Sequence, residues 1–69
     1  MKLSARNRLR GTITRISVGE VTASVELDVE GQRVVAAITA EAVRDLALNV
    51  GDQALAVVKA SDVMIATED

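Results

Sequence analysis

Hydrophobic and polar residues alternate along most of this chain, and the alternation is most regular over residues 21–29, VTASVELDV. A period of two is typical of a β-strand with one buried face. Glu30-Gly31 predicts a hairpin turn, and residues 32–39, QRVVAAIT, predict the returning strand. That strand has apolar residues on both faces, which indicates contact with a second subunit. The residues of the regular strand that are predicted to point inward are Val21, Ala23, Val25, Leu27 and Val29.

A long first strand is predicted over residues 3–18, LSARNRLRGTITRISV, and its apolar phase changes near Arg15-Ile16. Such a change indicates a bulge or a sharp bend, because one extra residue turns every later side chain to the opposite face. Gly11 predicts a close approach of two backbones within this strand. Gly19-Glu20 predicts the turn into the second strand.

A helical pattern replaces the alternation after Thr39, which is predicted to cap a helix over residues 40–46. Val43 and Leu46 lie three residues apart and are predicted to face the sheet. The order β-β-β-α-β-β predicts an all-β fold with one short helix, an OB-like five-stranded antiparallel Greek-key barrel. A length of 69 residues predicts a single domain over residues 1–69. The last turn and the last two strands are predicted at residues 49–52, 53–59 and 62–66.

The composition argues against several classes of function. The chain has no His and no Cys, which removes the commonest general base and the thiolate nucleophile, so we expect no enzyme. It has no aromatic residue and a net charge of −2, whereas proteins that bind single-stranded nucleic acid use aromatic platforms and a basic groove. No segment resembles a membrane span or a signal peptide, so we expect a cytoplasmic protein without membrane contact.

The share of hydrophobic residues, 49%, is high for a chain this short, and nearly all of them are Val, Ala, Leu and Ile. A domain of this size buries only about 60% of the surface that its unfolded chain exposes. Without aromatic rings, which bury the most area per residue, the chain has more apolar surface than it can cover by itself. We therefore expect a stable homo-oligomer.

Positive charge is concentrated in the first 19 residues, which contain no Asp or Glu and can therefore attract an anion. Two segments combine a cation with a hydroxyl at a spacing of two, Ser4-Ala5-Arg6 and Lys59-Ala60-Ser61. A guanidinium fork, an ammonium and hydroxyl groups are donors that suit a tetrahedral oxyanion. The alternative is that both segments are ordinary solvated strand ends. The cations of the first 19 residues are Lys2, Arg6, Arg8, Arg10 and Arg15.

The polar neighbours of these two segments have other interpretations. Asn7 lies on the strand face opposite to the hydroxyl and guanidinium of the first segment, and we expect it to bond to the backbone. Arg8 and Arg10 are predicted to form a charged strand edge or a subunit interface rather than to bind an anion. Asp62 is predicted to face away from the serine before it, so no carboxylate is expected beside the donors.

The segments SARNRLRGTI, AAIT with the following short helix and LxxGD, and AVVKASDVMIA together resemble the molbindins, over about residues 2–66. These Mop-type proteins bind molybdate and tungstate and are related to the TOBE domain. The resemblance implies an OB-like barrel and a homohexamer built as a trimer of dimers, with molybdate or tungstate oxyanions at subunit interfaces and no organic cofactor. It also implies intracellular molybdenum storage or homeostasis. The alternative is a non-catalytic oligomeric interaction module that needs a partner chain.

The resemblance also implies which residues bind the oxyanion, while no side chain is expected to bind the metal directly. Thr39 can be a helix cap, a ligand of the oxyanion, or both. A possible second oxyanion site is expected at the turn formed by Val18, Gly19 and Glu20. The residues implied for the main site, together with backbone amides, are Ser4, Ala5, Arg6, Thr39, Lys59, Ala60 and Ser61.

Overall fold

The computed structural model describes residues 4–68, in which one antiparallel sheet of four strands carries one short helix. The elements are β1 (Asn7–Val18), β2 (Thr22–Val29), β3 (Gln32–Thr39), α1 (Ala40–Asp45) and β4 (Gln53–Val58). The sheet order is β3-β2-β1-β4, so β3 and β4 are its edges. The predicted mostly β architecture with one short helix is confirmed. No helix in the described range is long and apolar enough to cross a membrane.

β1 pairs with β2 on one side and with β4 on the other, and it changes phase at a bulge. The register with β2 shifts between Ile13 and Arg15, so Thr14 is the extra residue and the predicted bulge is confirmed. Ile13 is 1% exposed before the bulge, and Ile16 packs against the same core after it. The predicted start of this strand at Leu3 lies outside the described residues, and the prediction is wrong for residues 4–6, because β1 begins only at Asn7, where its pairing with β4 begins.

Gly11 lies where β1 passes directly against the end of β2. A Cβ atom at this position would lie 2.6 Å from the carbonyl oxygen of Asp28 and 2.8 Å from Cγ2 of Val29. No side chain fits at these distances, so the predicted close approach of two backbones is confirmed. Any larger residue here would push β1 away from β2.

The hairpin between β2 and β3 forms at the predicted residues. Glu30 and Gly31 both have positive φ, 50° and 85°, which is the pattern of a two-residue type I′ turn. This turn matches the right-handed twist of the strands that it joins. It sets the register in which Val29 pairs with Gln32 and Leu27 pairs with Val34.

Ala47 ends α1 in the left-handed conformation that glycine usually adopts, with φ 50°. Its N–H donates to the carbonyl of Arg44 at 3.0 Å, and the N–H of Leu48 donates to the carbonyl of Val43 at 3.1 Å. These two bonds form a Schellman motif, which satisfies carbonyls at the end of the helix. The Cβ of an alanine makes this backbone conformation unfavourable.

The core lies between the inner face of the sheet and α1. Two residues predicted to face it do not. Val21 is 73% exposed because it lies in the turn before β2, where its carbonyl accepts the Ala40 N–H at 2.8 Å. Leu46 is 66% exposed because α1 has already ended, so only Val43 of the predicted pair is buried. The buried residues of the core cluster are Ile13, Ala23, Val25, Leu27 and Val43.

The predicted fifth strand at residues 62–66 is wrong. The chain forms a 3-10 turn over Ala60–Asp62 and then runs on without regular secondary structure. Val63 has extended backbone angles, yet a strand also needs a neighbour for its hydrogen bonds, and no described strand pairs with this segment. Met64 and Ile65 are 92% and 86% exposed. Among the described residues the sheet therefore has two unpaired edges, β3 and β4. Residues of all four strands line an apolar cavity of about 470 Å³.

Glu26 of β2 forms salt bridges with one arginine of β3 and one of β1 on the outer face of the sheet. Its carboxylate accepts a hydrogen bond from Nε of Arg33, and Nε of Arg15 lies 3.8 Å away. The hydrogen bond from Arg33 lowers the pKa of Glu26 below its ordinary value of 4.5, and the charges of both arginines act in the same direction, against a partial opposing effect of burial. The ionised carboxylate therefore favours the folded state.

Replacing Ala47 by glycine is expected to raise the free energy of unfolding by about 1 kcal/mol, because glycine adopts positive φ without steric cost. The measurement is urea denaturation of wild type and variant. Ala42→Gly, inside α1, is the control and is expected to lower stability by about 1 kcal/mol. A lower stability of Ala47→Gly would contradict the assignment of strain to Ala47.

The contribution of Glu26 to stability is expected to depend on pH. Because its pKa is lower in the folded state, the unfolded chain binds more protons near and below pH 4.5, so this contribution is complete at pH 7 and is lost in acid. We expect Glu26→Gln to destabilise the protein at pH 7 and to have progressively less effect as the pH falls below 4.5. Glu30→Gln, in the exposed hairpin turn, is the control. Equal effects of Glu26→Gln at pH 7 and pH 3 would contradict the linkage.

Candidate functional site

The two donor-bearing segments found in the sequence meet at one end of the sheet. β1 and β4 are antiparallel, and the outermost pair of their ladder is Asn7 with Val58. Ser4-Ala5-Arg6 leads into β1 at this pair, and Lys59-Ala60-Ser61 leaves β4 from it. Long-range strand pairing thus brings together segments that lie more than 50 residues apart in the sequence.

Asn7 joins the two strands at this pair with its side chain as well as its backbone. Its Nδ2 donates to the carbonyl oxygen of Val58 at 3.1 Å, and the side chain is half-buried. The predicted backbone-bonding role of this asparagine is confirmed.

The first donor segment lines an open hollow of about 550 Å³. Ala5 is buried beneath it, whereas Ser4 and Arg6 are exposed and can reach a ligand. Arg8 also lines the hollow, although we expected it to serve as a strand edge or an interface. The signal for this role was present in the sequence, since Arg6 and Arg8 alternate onto one face of the strand.

The second donor segment does not continue the strand. β4 ends at Val58, Lys59 is extended, and Ala60–Asp62 form the 3-10 turn, in which the Asp62 N–H donates to the Lys59 carbonyl at 2.9 Å. Strand alternation therefore does not apply here, and it no longer supports the prediction that Asp62 and Ser61 point to opposite faces. Lys59 and Ser61 are both exposed.

The cations at this end of the molecule form no salt bridge with any residue of the described range 4–68. Every salt bridge among residues 4–68 involves Glu26, so Arg6, Arg8 and Lys59 form none in the described part of the chain. Guanidinium and ammonium groups only donate hydrogen bonds, and serine hydroxyls can donate as well. This arrangement can bind an anion with several oxygen acceptors.

Thr39 lies at the opposite end of the sheet. It pairs with Thr22, next to the pair of Val18 with Ala23 at the far end of β1. β1 has 12 residues, so its length is on the order of 35 Å. Within one chain, Thr39 therefore does not join the donors near Arg6.

Thr39 caps α1 as predicted. Its Oγ1 accepts a hydrogen bond from the N–H of Ala42 at 3.0 Å. Its hydroxyl hydrogen remains available for a further acceptor. The side chain is exposed, so a ligand or a second chain can reach it.

The residues suggested for a second oxyanion site lie at the same end as Thr39. Val18 ends β1, and Gly19 and Glu20 form the turn that follows. The Gly19 N–H already donates to the carbonyl of Thr22 at 2.8 Å, which leaves fewer backbone donors in this turn for an anion. A second oxyanion site at Val18, Gly19 and Glu20 stays a prediction.

Comparison with known proteins places this geometry in context. The TOBE domain family matches residues 3–65. A probable molybdenum-pterin-binding protein of Haemophilus influenzae is 42% identical over 69 residues, which cover 99% of this chain and 100% of that protein.

Two solved structures share the fold. A molybdate-binding protein of Sporomusa ovata has a TM-score of 0.93 and 42% identity, over 97% of this chain and 100% of that chain. The cytoplasmic molybdate-binding protein ModG, with molybdate bound, has a TM-score of 0.87 and 45% identity, over 93% of this chain but only 46% of its own. The similarity confirms the predicted OB-like class of fold.

The family match covers almost the whole chain, and the Haemophilus relative is matched over its full length. The chain therefore belongs to the TOBE domain family, among the Mop-type relatives of the molybdenum-pterin-binding proteins.

Proposed function

We propose that this chain binds molybdate and tungstate as oxyanions at interfaces between copies of itself. The observation that carries this proposal is the convergence of Ser4-Ala5-Arg6 and Lys59-Ala60-Ser61 at one sheet end. The chain is also similar to a solved molybdate-binding protein and to a probable molybdenum-pterin-binding protein. Arg6 and Lys59 supply two positive charges for the two negative charges of the ligand. Ser4, Ser61 and backbone amides supply neutral donors.

The position of Thr39 supports the proposed location of the site at an interface between copies. This residue completes the proposed donor set. It ends β3, however, at the end of the sheet where β1 finishes, far from Arg6. Glu41 follows Thr39 by two residues. Glu20 directly precedes Val21, whose carbonyl accepts the Ala40 N–H, so an anion there would need additional cations, from another molecule. Arg6 and Lys59 of a second copy would meet that need.

Assembly into a homohexamer, built as a trimer of dimers, is the second part of the proposal. The outer faces of β3 and β4 expose Val35, Leu55 and Val57 by 50%, 38% and 44%, and Met64 and Ile65 are almost fully exposed. Apolar surface of this extent is typical of a protein interface. The segment over residues 63–66 and the unpaired sheet edges can satisfy one another between copies.

Ion size would provide selectivity. Molybdate and tungstate are nearly equal in size, whereas sulfate is smaller and would leave stretched hydrogen bonds in a site with rigid walls. We propose a non-catalytic role for the chain, as a single molybdate-binding domain over residues 1–69 in cytoplasmic molybdenum storage or homeostasis. The exposed apolar segment also favours a second function, that of an interaction module that needs a different partner chain.

Arg6→Ala and Lys59→Ala are each expected to weaken molybdate binding at least about tenfold, because a charge-assisted hydrogen bond contributes roughly 1.5–3 kcal/mol. Isothermal titration of the purified protein with molybdate, with sulfate as the second ion, measures this. Arg33→Ala is the control, since it removes an exposed cation of β3 that contacts Glu26, outside both donor segments. Unchanged binding in both site variants would refute the site. No binding by a well-folded wild-type oligomer would favour the interaction module.

Replacing Met64 and Ile65 together by serine is expected to reduce the oligomer mass, because these side chains are 92% and 86% exposed in the single chain and would be buried between copies. Light scattering during size-exclusion chromatography measures the mass. Val50→Ser, at a loop residue that is 62% exposed, is the control and should leave the mass unchanged. A Met64→Ser/Ile65→Ser variant of wild-type mass would rule out this segment as a subunit contact.

A further inference from the structure

We infer that Asn7 is a positioning residue for the oxyanion site: it ties the segment that carries Arg6 to the segment that carries Lys59. The inference rests on the proposed function of that site and adds a residue that the resemblance did not assign to it. Asn7 directly follows Arg6 in the chain, and its hydrogen-bond acceptor, the carbonyl of Val58, directly precedes Lys59.

The hydrogen bond from Asn7 to Val58 lies at the outermost pair of the β1–β4 ladder. β1 begins at Asn7 and β4 ends at Val58, so no backbone ladder continues beyond this pair. The ends of strands fray unless something holds them. The side-chain bond of 3.1 Å, across 51 positions of sequence, is therefore the last bond between these strands before the donors begin.

Binding of a small dianion is tighter when the two donor segments keep fixed positions. Arg6 and Lys59 are long, exposed side chains, and neither is held by a salt bridge within the described residues. Binding must then pay for ordering them, and this cost rises if their backbones also move relative to each other. A fixed separation of the two backbones lowers that cost and sets the width of the site, on which discrimination by ion size depends.

Asn7 acts through its neighbours and not by touching the ion. It does not line the hollow beside Ser4, Arg6 and Arg8, and its amide nitrogen is engaged with Val58. It is half-buried, whereas the donors of the site are exposed. Loss of Asn7 should therefore change how well the donors are placed without removing any of them.

The same ladder contains a matched control. At its other end Thr12 pairs with Gln53, and Nε2 of Gln53 donates to Oγ1 of Thr12 at 2.7 Å. This bond also joins β1 to β4 by one side-chain amide, but five pairs farther from the donors. A role in stability alone would make Asn7 and Gln53 equivalent, and a role in positioning would separate them.

The experiment compares Asn7→Ala and Gln53→Ala in the full chain, by urea denaturation and by titration with molybdate and with sulfate. We expect both variants to lose a similar, small part of their stability. Only Asn7→Ala should bind molybdate about tenfold more weakly, the order of effect that follows the loss of a group that orients a binding residue. Its preference for molybdate over sulfate should also shrink, whereas Gln53→Ala should keep both values of the wild type.

If the alanine variant does not fold, Asn7→Leu replaces it in the experiment. Leucine is of similar size, so it keeps the packing of the half-buried position while removing the hydrogen-bond donor. The same loss of affinity and selectivity is expected. Two results would overturn the inference, provided that Arg6→Ala still weakens binding. One is wild-type affinity and selectivity in the folded Asn7 variant, and the other is an equal loss of both in Gln53→Ala. Failure of the wild type to bind molybdate would instead overturn the proposed function itself.

Discussion

The backbone pairing of β1 with β4 joins Asn7 to Val58 across almost the whole length of the chain. Without this ladder the segments around Arg6 and Lys59 would have no fixed relation, because each lies outside a strand and is exposed. The pairing also leaves β4 as an edge beside the apolar cavity. One set of hydrogen bonds thus positions both the end of the sheet that carries the candidate donors and its exposed β4 edge.

Two local features of β1 allow it to pair on both sides. Gly11 lets the strand pass directly against Asp28, where a side chain would collide with backbone. The bulge at Thr14 then changes the phase, so that Ile13 and Ile16 both reach the core while Arg15 turns outward to Glu26. Local backbone geometry is in this way connected to core packing, and core packing to the placement of charge.

Two features of the single chain would both be explained by the proposed contact between copies. The segment around Met64 and Ile65 is exposed and pairs with no strand in the described residues, where β3 and β4 are the two edges of the sheet. Arg6 precedes the start of β1 and Thr39 lies at the opposite end of the sheet, although the proposed site needs both. Contact between copies would supply a neighbour for the segment and would unite the two halves of the site. Binding of an oxyanion would then also stabilise the assembly.

The candidate donors were largely predictable from residue type and spacing. Arg6 and Lys59 each stand near a hydroxyl, and that chemistry is visible without coordinates. Asn7 was recognisable as a backbone-bonding residue, but its acceptor was not, since Val58 is brought to it only by strand pairing. Arg8 was placed on the correct face of the strand, yet only the structure shows that it lines the hollow with Ser4 and Arg6.

The sequence by itself determined the elements that depend on neighbours in the chain: the alternation of β2, the Glu30-Gly31 hairpin, the Thr39 cap and the bulge in β1. The tertiary structure alone decided whether residues 62–66 form a strand and whether Val21 and Leu46 are buried. The physical reason is that a β-strand and a buried side chain are defined by partners distant in sequence. An apolar pattern shows that a segment needs such a partner, and only the fold shows whether its own chain provides one.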